Sequence, residues 1–463
     1  MSKFFIFIIL LNNRENGHES SKKINPMKYL ALILILICSP AVGQTEVEDV
    51  QSFTLENGMK FLVLEDHSIP NANMYFFWKV GSRNENLGIT GLSHFFEHMM
   101  FNGAKKYGPK MFDILMEANG GANNAYTSQD VTVYTDWFPN SAMEIIFDLE
   151  SDRIRDLALD SAMVESERGV VYSEYTTGLE NSNYRLLSMQ VQSTAFFAHP
   201  YRWSVIGYES DILGWTRDDL LKYFETYYAP NNCVVVMVGD LDSENVKALA
   251  MEYFEPIPAQ PPPDPVRTKE PPQNGEKRVI VHKKVSTPSI MITYHVPEAT
   301  HEDYYSLDLF SSILSEGNSS RLRKSLIFDK NLAVSLFTYM PRSFDPNLFT
   351  IYAASSADSV VDILEKEIYS EISDIVESGV TERELQKVKN QKLMEFYQGM
   401  ETINGKASML GNYDLFFGDY RKLFTAADLY NNVTTDDIQR VAKAYFKPEN
   451  RTVGILVSPE EKP

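Results

Sequence analysis

A chain of 463 residues is too long for one ordinary core, so at least two domains are expected. Its 44% hydrophobic and 23% charged residues are the balance of a water-soluble globular body, which excludes a disordered or largely membrane-embedded chain. A formal net charge of −20 argues against nucleic acid and anionic membrane surfaces as partners.

At the amino terminus Met27-Lys28 is followed by "YLALILILI" and "CSPAVGQ": a positive start, a short apolar core and small residues at Ala41 and Gly43. This is the pattern of a secretory signal peptide cleaved near Gly43. The apolar run is too short to span a bilayer, so no stable membrane insertion is expected after cleavage. Residues 1–26 read as an upstream extension, with Met27 a better start than Met1, and bulky Ile37 disfavours a lipoprotein reading through Cys38. Removing residues 1–43 takes away five basic residues (Lys3, Arg14, Lys22, Lys23, Lys28) and two acidic ones (Glu15, Glu19), which moves the charge from −20 to −23. Only Cys233 then remains, and a single thiol permits no internal disulfide.

Residues 44–257 form the first half. "FTLENGMKFLVLED" has two apolar alternating runs around Asn57-Gly58, the signature of a tight hairpin. "NMYFFWKV", "VTVYTDWF" and "CVVVMVGD" are further strands, and helical patterns lie near 88–101, 108–118, 141–156, 161–180, 216–226 and 242–254. Residues 258–276, rich in proline, predict an extended linker that packs poorly, and residues 277–463 form the second half.

The halves are related. "TRDDLLKYFETYYAPNN" at 216–232 matches "TTDDIQRVAKAYFKPEN" at 434–450, an offset of 434−216 = 218, and the same offset carries Pro70 onto Pro288. This predicts a duplicated domain. The fold class is therefore α+β, two homologous domains, each a largely antiparallel sheet packed with helices.

The chemistry concentrates in "GLSHFFEHMMFNG". On a helix His94 and His98, at i and i+4, point two imidazoles at one ion, the usual way a helix offers zinc two ligands. Glu97 sits at the edge of the same face, where it reaches a metal-bound water as a general base. A catalytic zinc takes a third protein ligand. "SERGVVYSEYTTG" offers Glu167 and Glu174, seven apart on one helical face, and spacing alone does not choose which ligates and which orients the site from behind. On its own, "GGANNAYTS" reads as an ordinary glycine-rich turn entering a strand.

The ordered set "HFFEH", "NNAYTSQDVTVY", "ERGVVYSEY" and "YYAPNNCVVVMVGD" resembles the pitrilysin family of zinc peptidases, which includes insulin-degrading enzyme and the mitochondrial processing peptidase, in a match that runs in order from about residue 51 to 457. The resemblance implies a metalloendopeptidase with one Zn2+ per chain, held by His94, His98 and Glu174. It implies Glu97 as the base and Glu167 as the supporting acid. It also implies that Asn124 and Ala125 lie on an edge strand to which the peptide substrate adds as a further strand.

Carried to the metal helix, the 218 offset sets Ser312, Ser315 and Glu316 opposite His94, Glu97 and His98, so the second half is expected to be a non-catalytic copy. The family's second domain often contributes an arginine and a tyrosine that hold the substrate and its oxyanion. Here those positions fall on Ile327 and Val334, which donate no hydrogen bond, although Tyr339 and Arg342 lie nearby. Without oxyanion donors the rate falls by about 10²–10³. A homologous partner chain that supplies the Arg/Tyr pair is therefore expected, as in two-chain bacterial members, where four such domains close a chamber around short or unfolded peptides. The alternatives are a catalytically silent structural subunit and a selective processing peptidase. Export to the periplasm of a Gram-negative bacterium is the expected location.

Overall fold

The first half forms six strands: β1 (Val50–Thr54), β2 (Lys60–Glu65), β3 (Asn71–Trp78), β4 (Ala122–Thr127), β5 (Thr132–Pro139) and β6 (Cys233–Gly239). They assemble in the order β1-β2-β6-β3-β5-β4, antiparallel except for the β2–β6 pair. The β1–β2 hairpin turns at Gly58, whose φ of 88° suits a residue without a side chain. The Asn57 amide beside it donates to the carbonyls of Phe254 and Ile257. The computed structural model describes residues 45–357 and 360–459, so the signal-peptide reading and the choice of start lie outside the described residues.

The second half repeats the arrangement without the first strand. β7 (Lys277–His282), β8 (Ser289–Val296), β9 (Ala333–Tyr339), β10 (Asn347–Ser355) and β11 (Arg451–Val457) take the order β7-β11-β8-β10-β9, with β7 and β11 parallel. Position for position this is β2-β6-β3-β5-β4. β4 and β9 are therefore equivalent edge strands, each with one side unpaired within its sheet.

The 218 offset holds for β3 and β8 (289−71 = 218), for β6 and β11 (451−233 = 218) and for the helices Arg217–Tyr227 and Thr435–Tyr445 (435−217 = 218). It fails at the metal helix. Leu92–Met99 begins 14 residues after β3 ends, whereas its counterpart Tyr304–Ser315 begins 8 residues after β8 ends (92−78 = 14; 304−296 = 8). The helices differ in length, so their starts are related by 304−92 = 212 and their ends by 315−99 = 216, and neither end keeps the offset that sets Ser312, Ser315 and Glu316 opposite His94, Glu97 and His98. The consequence drawn from them survives, because Tyr304–Ser315 contains no histidine in any register.

Both faces of the first sheet are covered. Phe61, Val63, Met74, Phe76, Trp78, Val235 and Met237 face a core built with the helices of their own half. The alternate residues Leu62, Leu64, Tyr75, Phe77, Val234, Val236 and Val238 belong to a core continuous with that of the second half. A strand buried on both faces has no reason to alternate, which explains the unbroken apolar run of β6.

The halves also exchange helices. Asn183–Ala195, which the sequence patterns did not indicate, lies on the second sheet, with Leu187 and Val191 packed against Met291 and Leu456. A Cβ on Gly454 of β11 would meet Val191 at 2.2 Å, so glycine admits the helix. Reciprocally, Ile403–Phe417 lies on the first sheet, where a Cβ on Gly411 would meet the Phe77 ring at 2.1 Å. Asn404 of that helix accepts from Asn73 at 3.1 Å and also from the Trp137 indole.

Residues 258–276 carry no helix or strand, yet they are pinned where packing was expected to be poor. Glu270 accepts the amides of Phe197, Ala198 and His199 at 2.7, 2.8 and 2.9 Å, and the Gln273 side chain donates to the Arg451 carbonyl. The amides of residues 197–199 need partners, and the side chain of Glu270 supplies them, which anchors the segment. Cys233 is a buried free thiol. Among the described residues no helix is long and apolar enough to cross a membrane.

Candidate metal centre

The helix Leu92–Met99 is divided by its own periodicity. Leu92, Phe95, Phe96 and Met99, at i, i+3, i+4 and i+7, are buried, which leaves His94, Glu97 and His98 on the opposite, partly exposed face. Phe96 stacks on Tyr223 at 5.7 Å and Phe95 packs on Trp215 at 5.0 Å, so the face that carries the chemistry cannot rotate.

Its start is fixed by a residue that the sequence patterns did not single out. The buried Glu85 carboxylate accepts the amides of Gly91 and Ser93 at 2.7 and 2.8 Å, satisfying two amides that a helix start leaves open. Burial nevertheless pushes the Glu85 carboxyl up to about 8, against the pull of those amides. Gly91 (φ 90°) and Gly207 (φ 83°) let two backbones cross here. A Cβ on Gly91 would meet the Ile206 carbonyl, and one on Gly207 the Thr90 carbonyl, each at 2.4 Å.

The second contributor is the helix Ser161–Asn181, capped by Asp160, which accepts the amides of Ala162 and Met163. Glu167, Val171, Glu174 and Gly178 recur along one face of it, and Val171 is fully buried there. The Nε2 atoms of His94 and His98 lie 3.5 and 3.7 Å from Oε2 of Glu174. The candidate ligand atoms of the three residues all lie within 4.8 Å of one another, and among the described residues no other cluster of this kind occurs. Zinc bonded at about 2.0–2.1 Å in a tetrahedron separates its donors by about 3.3–3.5 Å, close to the 3.5 and 3.7 Å between each histidine and Glu174.

Glu167 takes the outer role. Its Oε1 lies 2.8 Å from His98 Nδ1 and its Oε2 accepts from the Asn102 amide at 2.7 Å. With Nδ1 engaged, His98 presents Nε2 to Glu174, the usual carboxylate–histidine arrangement behind a metal. His94 is held differently. Its Nδ1 is buried with no hydrogen-bond partner among the described residues, and only its Nε2 faces a polar group, Glu174 Oε2 at 3.5 Å.

Electrostatics separates the two imidazoles. Burial brings His94 down to about 4, against the attraction of Glu174, and keeps it neutral. Burial also works against a charged His98, but hydrogen bonds to Glu167 and Glu174 outweigh it and raise it to about 9. His98 must therefore release a proton from Nε2 to act as a ligand. The hydrogen bond with His98, aided by His94 and Arg185, draws Glu174 down to about 2 against burial. Arg185 Nη1 lies 3.3 Å from Glu174 Oε1, leaving Oε2 to the histidines.

Glu97 is half-buried, and burial raises its carboxyl above the ordinary carboxylate range. Thr127 Oγ1, at the end of β4, donates to Glu97 Oε2 at 2.6 Å. Glu97, His98, Glu167, Asn124 and Ala125 share the wall of one cleft of about 550 Å³, joined by Phe101 and Ile114. All seven residues singled out in the first half thus meet at one site. Ile327 lies half-buried in the π-helical turn Arg323–Asp329, and Val334, 59% exposed, points out from β9.

Two sheets in a shared core, with two histidines and a glutamate converging beside a half-buried carboxylate, define a class: two-domain α+β chains built like the zinc peptidases that carry an inverted HxxEH helix. The chain belongs to the insulinase family, peptidase family M16. The family model described as insulinase (peptidase family M16) matches residues 60–208, and that described as the peptidase M16 inactive domain matches residues 214–392. The zinc protease PqqE of Helicobacter pylori is 30% identical over 438 residues, covering 92% of this chain and 97% of that protein. The uncharacterized zinc protease YmxG of Bacillus subtilis is 24% identical over 413 residues, covering 89% and 98%. A crystal structure of a protease from Helicobacter pylori is similar at a TM-score of 0.85 and 30% identity, covering 89% of this chain and 99% of that one. The periplasmic protease PqqL of Escherichia coli shares the fold at a TM-score of 0.74 and 19% identity, but this chain, 90% covered, spans 48% of that one.

Proposed function

We propose that the chain is a zinc-dependent endopeptidase acting on short or unfolded peptides, and that it is the metal-bearing subunit of a heterodimer. One observation carries the reading: His94 Nε2, His98 Nε2 and Glu174 Oε2 converge beside Glu97, in a cleft whose wall is the edge strand β4. The zinc-protease names of its relatives support it.

His94, His98 and Glu174 would hold zinc, which would supply Lewis-acid polarisation of the scissile carbonyl and a more acidic attacking water. Glu97, its carboxyl raised by burial and oriented by Thr127, takes the proton from that water and delivers it to the leaving amine. Asn124 and Ala125 present the unpaired backbone edge of β4, to which an extended peptide adds as the next strand. Glu167 keeps His98 in the tautomer a ligand needs.

The need for a partner rests on Ile327 and Val334, apolar where the family carries its arginine and tyrosine. The length relation to PqqL agrees, since one PqqL chain is about twice as long as the stretch this chain matches. Export to the periplasm rests on the sequence of residues 27–43 alone. The test is to assay the purified chain alone and mixed with a homologous chain that lacks HxxEH. Hydrolysis that appears only on mixing is expected, and full activity of the isolated chain would refute the heterodimer. Zinc content separates this reading from a silent scaffold, which would not hold one equivalent.

A further inference from the structure

The two halves enclose a second cavity, of about 580 Å³, on whose wall Tyr126 and Ser128 meet Tyr339, Arg342, Lys392 and Asn412. Arg342 stands out among the charges there. Its Nε is buried without a hydrogen-bond partner, and no described carboxylate pairs with its guanidinium. Its charged form is faced instead by the hydroxyls of Tyr304, Tyr413 and Tyr430, and by the rings of Tyr413 and Phe417 at 5.5 and 5.9 Å.

The other charges of the wall are already satisfied. Lys392 lies 3.2 Å from Asp308 and 3.6 Å from Glu395, and Asp308 also accepts the Tyr430 hydroxyl at 2.6 Å. A smaller cavity, of about 180 Å³, shares Ser128, Tyr339 and Arg342, and its one carboxylate, Asp130, is held by the Tyr201 hydroxyl at 2.6 Å and by Arg83 at 3.3 Å. A half-buried cation that stands on two cavity walls without an anion is costly unless something else supplies one.

The strand β4 connects this cavity to the metal centre. Asn123 donates to Asp113 at 3.0 Å and Thr127 to Glu97 at 2.6 Å on the active-site face, so Tyr126, between them in the alternation, belongs to the face that looks into the Arg342 cavity. A peptide paired to the β4 edge alternates in the same way, with every second side chain directed to that cavity.

We propose that the cavity is a subsite for a carboxylate of the bound peptide, received by Arg342. This inference rests on the peptidase reading above. The carboxylate comes either from an aspartate or glutamate side chain or from the peptide's own C-terminus, and a guanidinium accepts both geometries as a two-pronged pair.

The test is a binding measurement in the Glu97→Gln variant, which removes turnover. Fluorescence anisotropy would compare a labelled, C-terminally amidated neutral peptide with versions carrying one Gln→Glu exchange at each position in turn, and with the free C-terminal acid. One acidic position, or the free C-terminus, is expected to bind about tenfold tighter than its neutral isostere. Arg342→Gln on the same background removes that preference and Arg342→Lys retains part of it, with circular dichroism verifying the fold. If Arg342→Gln does not fold, the peptide comparison and the lysine variant still decide. Equal binding of acidic and neutral peptides throughout, or a preference that survives in folded Arg342→Gln, overturns the proposal. Failure of every peptide to bind overturns the peptidase reading beneath it and this inference with it.

Discussion

Arg185 Nη1 lies 3.3 Å from Glu174 Oε1 and packs against Gly178: a Cβ there would sit 2.3 Å from that same nitrogen and displace it. Glu174 would be the third metal ligand, Gly178 lies one turn beyond it, and Arg185 belongs to the helix that crosses to the second sheet. Arg185→Ala should therefore loosen the carboxylate and weaken zinc binding by about 10-fold, the lower end of what an outer-shell partner contributes. Gly178→Val should do the same by steric displacement. Zinc competition against a chelator checks both, and unchanged affinity in both variants would remove Arg185 from the site.

The Glu85 carboxylate caps the helix Leu92–Met99 from a loop that is six residues longer than its counterpart in the second half (14−8 = 6). Glu85→Ala leaves the amides of Gly91 and Ser93 without a partner and is expected to cost about 1–2 kcal/mol of stability. Thermal unfolding measures it, and a loss in zinc affinity should accompany the lower melting temperature.

Arg321 holds Glu384 through two hydrogen bonds, at 2.7 and 3.1 Å, and burial is outweighed by these and by Thr381, bringing Glu384 down to about 2. A carboxyl depressed in the folded state adds stability above its unfolded value of 4.5 and loses it as pH falls from 4.5 toward 2. Because the pair is partly solvated, the contribution is about 1 kcal/mol. Denaturant unfolding of wild type and Glu384→Gln at pH 7 and pH 3 should show a difference that shrinks at the lower pH. A difference independent of pH would contradict the assignment.

The exchanged helices join the halves into one cooperative body. Leu187 is fully buried against the second sheet, and Leu187→Ala should cost about 2–5 kcal/mol. The cost should appear as a downward shift of a single unfolding transition. Two separated transitions in the variant would instead show that the halves unfold independently.

Much of this was legible in the sequence because it is local. The spacing of His94, Glu97 and His98 is a property of one helix, and the hairpin at Asn57-Gly58 and the repeated Thr-Asp-Asp helices also carry their signals within a few residues. What escaped depends on other parts of the chain. Asn183–Ala195 is half-polar by its own pattern, and its apolar side is matched by the second sheet, some hundred or more residues away in sequence. Glu85, Thr127 and Arg185 are ordinary loop, strand and helix residues until the fold sets them against Gly91, Glu97 and Glu174. The 218 offset is not kept at the helix Leu92–Met99 because the loops ahead of the two helices, and the helices themselves, differ in length, a change that matching motifs on either side do not reveal.

The most direct test of the central claim is zinc content and peptide hydrolysis measured together on Glu97→Gln, under conditions in which the wild type is active. Glu97 touches Thr127 and the cleft but is not among the three converging ligands, so the variant should retain one equivalent of zinc while hydrolysis falls by about 10²–10⁴, the contribution of a positioned base. Zinc retained with hydrolysis undiminished would contradict the account.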